Sequence, residues 1–169
     1  MSGVYSKKTN NEVSSNFKKQ VTELEKKLIN ISDNKIVFGD GKEIVHEKRY
    51  KYKHTFGDGT YIRQMFIPKG DVILGAIHKH LHVWILLSGH ITVSTEDSTD
   101  EYKAPFTMLS TPGIKRIIYA REDSVLTNIH KNPTNTQDVK ELEKQIVALN
   151  YDEYEEYINK KNRLWRLSR

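Results

Sequence analysis

The chain has 169 residues, with 27 Lys and Arg against 22 Asp and Glu, seven His and no Cys. That length suits one domain with a terminal extension or two, and a hydrophobic content of 37% is too high for a wholly disordered chain. The lack of cysteine excludes a disulfide framework, a cysteine-ligated zinc or iron–sulfur site and a thiol nucleophile.

The longest apolar run, Val83 to Leu87, is strand-length, far below the roughly 18–20 residues of a membrane span. The N-terminus has no apolar stretch of the signal-peptide kind, so the expectation is a soluble, cytoplasmic protein with no membrane partner. Residues 1–54 hold 12 basic and 7 acidic side chains, and the rest of the chain is balanced. At the far end Lys160, Lys161, Arg163, Arg166 and Arg169 follow Asp152, Glu153, Glu155 and Glu156. Acids early and bases late is what a solvated helix prefers. No aromatic residues interleave with the bases as a stacking platform, so nucleic acid is not the expected partner.

In chain order, residues 1–13 are polar and expected to be disordered. Phe17, Val21, Leu24, Leu28 and Ile31 then make one apolar stripe, which predicts an amphipathic helix within residues 14–34. From residue 35 the pattern turns to strands. IVF and KEIV flank Gly39-Asp40-Gly41 as a hairpin. Further β-rich runs are separated by turns at Gly57-Asp58-Gly59, Pro68-Lys69-Gly70, Ser88-Gly89, Glu96 to Asp100, Pro112-Gly113 and Glu122-Asp123. Many short strands without intervening helices predict a mainly β, antiparallel sandwich or barrel over residues 35–132.

After Pro133 the period returns to helix, giving a helical extension over residues 133–169. Val139, Leu142, Ile146 and Leu149 form its stripe, Thr134 and Gln137 fit a capping box, and Trp165 reads as a packing anchor. Tyr151, Tyr154 and Tyr157 line one face of a further turn, a pattern that more often packs on a domain or dimer than serves recognition.

The residues with the most chemistry lie in Ile77-His78-Lys79-His80-Leu81-His82. On one continuous strand, alternation would place all three histidines on one face. Imidazole is the commonest side-chain ligand for zinc, iron, copper and nickel, and three in a row are hard to explain by packing. Trp84 has the same parity and would form a pocket wall.

Gly70 to Gly89 resembles the first motif of the cupins, small jelly-roll barrels. The spacing runs Gly70, five residues, Ala76-Ile77-His78, three residues, His82, six residues, Gly89. Ala76 stands where the motif has its first His, and His82 replaces its Glu. The second motif is matched in spacing by Pro105, Thr111-Pro112-Gly113, Arg116 and Ala120, with Arg116 replacing a His ligand. In IHKH-x-H, VSTED, KAP, PG-x-KR and IH-x-NPTNTQD the chain also resembles small cupin-like proteins of bacteriophages. This resemblance implies a cupin-type antiparallel jelly-roll barrel with an N-terminal helix and C-terminal helices. It also implies a homodimer, in the host cytoplasm if phage-encoded.

A hairpin through Arg121–Ser124 would set His130 beside Arg116. The expected ligand set for a divalent metal (zinc, manganese, iron or nickel) is therefore His78, His82 and His130, with His80 as a further ligand, base or supporting group. Arg116 and Lys115 suit a small anionic ligand, with or without the metal. The functional expectation is a phage cupin-like protein whose His-lined pocket binds a divalent metal and a small anion. The alternatives are a non-enzymatic phage sponge for a nucleotide-like host-defence signal, a protein that binds a host protein, or a structural protein whose helices make the interface.

Overall fold

The computed structural model describes residues 10–31 and 51–168. The expected hairpin around Gly39-Asp40-Gly41 and most of the polar N-terminus lie outside the described residues.

Helix α1 spans Asn10–Ile31. It begins before the apolar stripe, because its polar first turn carries no hydrophobic period to mark it. The strands are β1 (Lys51–Gly57), β2 (Thr60–Ile67), β3 (Val72–Leu74), β4 (Ile77–His78), β5 (His82–Ser88), β6 (His90–Ser94), β7 (Thr99–Lys103), β8 (Phe106–Ser110), β9 (Ile117–Ala120) and β10 (Ser124–Lys131). Helix α2 (Val139–Ile146), strand β11 (Val147–Ala148) and helix α3 (Tyr151–Leu167) complete the chain.

Two antiparallel sheets carry the domain, in the orders β1-β2-β10-β5-β8 and β3-β9-β6-β7. With β1 set aside as an added edge strand, this is the eight-strand order of a double-sheet jelly roll. The sheets face one another across the core, and no strand pairing links them into a closed barrel among the described residues. Alternation along each strand supplies the filling. Met65 and Ile67 from β2, Trp84 and Leu86 from β5, Ile91 and Val93 from β6, Ile118 from β9 and Leu126 from β10 pack together, all buried. At the Ser88-Gly89 turn, φ of +90° and a Cβ that would overlap Ser124 Oγ and the Asp123 carbonyl admit only glycine.

Three expectations are corrected here. The turn through Arg121–Ser124 does not make a hairpin: β9 belongs to the four-stranded sheet and β10 lies between β2 and β5 in the other. A jelly roll sends that short connection across the sandwich. The helical extension expected over 133–169 is split. Asp138 caps α2 by accepting hydrogen bonds from the amides of Lys140 (2.9 Å) and Glu141 (3.2 Å), where Thr134 had been expected to cap. The chain then leaves the helix at Val147 to pair with β4, and Asn150 starts α3 by accepting from the Glu153 amide. Trp165 anchors no tail core, being 55% exposed on a helix with no buried residue.

α2 closes one end of the sandwich. Its buried Leu142 and Ile146 pack with Val147 and Tyr61, and Arg63 of β2 pairs with Glu143 at 3.1 Å. No described helix is long and apolar enough to cross a membrane.

Candidate metal centre

Three histidines converge at the α2 end of the sandwich. His82 opens β5, facing inward in register with Trp84 and Leu86. His130 lies on β10, one step beyond the Ile129–Val83 pair, so the β10–β5 ladder brings it beside His82. The Arg116 strand plays no part in this. His78 is supplied by β4, which pairs with β11 through His78–Val147. Its backbone is pinned further by Gly113 N–H donating to the His78 carbonyl at 3.0 Å and Lys79 N–H donating to the Ile146 carbonyl at 2.8 Å.

The ring centroids are 4.0 Å apart for His78–His82, 4.8 Å for His82–His130 and 5.1 Å for His78–His130. One ligand nitrogen from each ring falls within 4.8 Å of the other two. All three side chains are buried.

The nitrogens test whether a metal fits. Both ring nitrogens of His78 and Nε2 of His130 are buried without a hydrogen-bond partner. Buried polar atoms left unpaired cost free energy, and native structures hold few of them. His82 Nδ1 lies 3.3 Å from the His80 carbonyl, which suits the Nδ1–H tautomer, and Asn128 also hydrogen-bonds to the ring. Burial, with smaller contributions from neighbouring imidazoles and arginines, holds the His78 pKa well below its usual value. Burial likewise lowers His82 to about 4 and His130 to about 2. Neutral imidazoles at physiological pH are what a divalent ion requires. The residues present therefore fit a metal.

Supporting contacts orient the set. The Tyr61 ring stacks on His130 at 6.1 Å, and its hydroxyl is hydrogen-bonded to His54 Nδ1 at 2.7 Å. Burial pushes the Tyr61 pKa up to about 12, so the phenol keeps its proton.

The remaining expected residues divide. Arg116 and Trp84 line the cavity beside His78 and His82, with a volume of about 70 Å³. Gly75 stands against the Arg116 backbone, its amide donating to the Arg116 carbonyl at 2.7 Å. His80 leaves the cluster: residues 79–81 bulge out between β4 and β5, so the strand parity that would have aligned it is broken. Its Nε2 meets the Gln145 carbonyl at 3.0 Å, and its ring is edge-on to Tyr157. Lys115 does not line the cavity. It is buried with Nζ 6.0 Å from the Tyr151 ring, on the segment that precedes β9.

Arg63 and Asn128 were not foreseen, and both line the cavity. A sequence signal exists for each. Arg63 is the one cation in the inward row Tyr61, Arg63, Met65, Ile67, and Asn128 lies between Leu126 and His130 on the inward parity of β10.

No family model matches the chain, and no curated protein matches it. Among solved structures it is similar to a cupin 2 conserved barrel domain protein from Salinispora arenicola, with 10% identity, TM-score 0.44, and 53% of this chain and 81% of that chain covered. It is similar to a cupin 2 domain-containing protein from Halorhodospira halophila at 18% identity and TM-score 0.45, covering 54% and 69%. It is also similar to a cupin domain from Schizosaccharomyces pombe at 18% identity and TM-score 0.43, covering 50% and 62%. These overlaps are partial, and the fold assignment rests on the strand order given above.

Proposed function

We propose that this chain is a cupin-type protein that holds a divalent metal on His78, His82 and His130 and binds a small anionic ligand beside it. The observation that carries this reading is the convergence of three buried imidazoles, two of which, His78 and His130, hold ring nitrogens without partners. Arg116 favours the anion. It puts a cation near the site, whereas Arg63 is already paired with Glu143, and a cation beside a divalent metal is tolerated best when an anion bridges them. The bacteriophage setting is supported by the sequence resemblance. A metal assay tests the reading: protein purified without chelator and offered zinc, manganese, iron and nickel should take up one equivalent of at least one of them. His78→Ala and His82→Ala should each lose most of it while His80→Ala keeps it. Failure to bind any of the four metals overturns the metal centre. A purified protein that carries a nucleotide instead would favour the sponge.

A homodimer is supported by the outer face of the five-stranded sheet. Ile129, Val83 and Leu109 stand in register across β10, β5 and β8, with Ile62, Ile85, Leu87 and Phe66 on the same side. Leu109 is 62% exposed and Leu87 47%. Among the described residues this face carries no charge across its centre for a foreign partner to read, and identical sheets pack face to face. The occupant we propose is a second copy of the chain. Light scattering should give twice 19.7 kDa, and Leu109→Glu should give the monomer; a wild-type monomer mass overturns it.

A further inference from the structure

The cavity has two unlike ends. The histidines form one. Met65, Ile73, Ile91, Val93 and Leu126 form the other, an apolar wall. Between them stand two donors that the protein leaves without acceptors. Trp84 is 3% exposed, lines the cavity, and its Nε1–H has no hydrogen-bond partner. Arg116 lines the same cavity, and no carboxylate among the described residues forms an ion pair with it. Both belong to one corner. The Tyr102 ring is edge-on to Trp84 at 5.5 Å and feels the Arg116 charge.

A buried cation without a counter-ion and a buried N–H without an acceptor both cost free energy. A single anionic acceptor resolves both. A phosphate would satisfy the guanidinium but gain nothing from the wall beyond it. A carboxylate matches the planar guanidinium fork, and its hydrocarbon body would replace water against Met65, Ile73 and Leu126.

We propose that the ligand of this pocket is a small carboxylic acid with an apolar body of several carbons, its carboxylate on Arg116 and Trp84 Nε1–H and its body on the apolar wall. This rests on the reading of the cavity as a ligand site, and it does not require the metal.

The test uses the full chain carrying Trp165→Phe, so that Trp84 is the only tryptophan and its fluorescence reports the cavity. Chelator-treated and metal-loaded protein are titrated in parallel with acetate, butyrate, hexanoate, hexanol and inorganic phosphate. From acetate to hexanoate the affinity should rise about threefold to fourfold per methylene. Hexanol should bind at least tenfold more weakly than hexanoate, and phosphate more weakly still. Arg116→Gln should weaken hexanoate at least tenfold, with Arg116→Lys in between.

Phosphate binding as tightly as hexanoate, affinity independent of chain length, or hexanol equal to hexanoate would each overturn the proposal. Because these comparisons use unaltered Arg116, they stand even if its variants fail to fold. Chain-length-dependent binding to the chelator-treated protein with no metal uptake would remove the metal centre and leave the carboxylate site. Metal uptake without any carboxylate binding would do the reverse.

Discussion

Followed along β2, β5 and β10, the inward-facing row changes character within one or two steps. On β2, Tyr61 and Arg63 give way to Met65 and Ile67. On β5, His82 gives way to Trp84 and Leu86, and on β10, His130 and Asn128 give way to Leu126. Each step of two residues advances roughly 7 Å. The same three strands thus build a close-packed apolar core at one end and a cluster of bases and cations at the other. The apolar end stabilises the sandwich. The polar end carries unpaired nitrogens that cost stability, which is the arrangement expected of a site kept for binding.

This contrast can be broken from either side. The largest effect belongs to the apolar end. Leu86 is fully buried, and Leu86→Ala should lower unfolding stability by roughly 2–5 kcal/mol in urea while metal uptake by the folded fraction is kept. Equal loss of metal would show that the two ends are not separable.

Acid should act on the polar end. In the chelator-treated protein the unfolded chain protonates its histidines near their usual pKa of roughly 6.5, whereas folded His82 waits until about 4 and His130 until about 2. Below 6.5 the unfolded state therefore binds more protons. Stability is full above that pH and falls as pH drops, by up to about 1.4 kcal/mol per pH unit for each histidine. Urea midpoints at pH 7.5 and 5 that coincide would contradict this. The same lowered pKa values mean that metal should survive to pH 5, below the 6.5 at which ordinary imidazoles would release it.

The smallest effect has the opposite sign. His130→Leu removes an unpaired nitrogen from a buried site, so the chelator-treated protein should keep its stability or gain up to about 1 kcal/mol as it loses a proposed metal ligand. A loss of several kcal/mol would mean that the His130 ring is a packing element and not a binding one.

The strands and most of their turns were legible in the sequence, because period-2 alternation and turn chemistry are local signals, and His78 and His82 were singled out by their cupin-like spacing. What escaped depended on partners far away in the chain. Residues 79–81 leave the strand because α2 and α3 offer contacts there: the Gln145 carbonyl and Tyr157 to His80, and Glu153 to Lys79 at 3.2 Å. Strand β11 is two residues long, too short for any periodicity. His130 was placed in the site by way of a hairpin with the Arg116 strand, yet it arrives through pairing with β5. Arg63 was hidden because a single cation among apolar neighbours reads as an exposed residue until its partner Glu143 is known.

The pairing of His78 with Val147 also orders events during synthesis. A ribosome delivers His82 and His130 before β11, and until Val147 and Ala148 emerge β4 has no strand partner among the described residues and His78 is held by the Gly113 amide alone. Translation must run past α2 before the trio is assembled, so premature capture of an ion by a half-made chain is disfavoured. Nascent chains arrested before and after Val147 emerges should differ accordingly, with high-affinity metal uptake appearing only in the longer one.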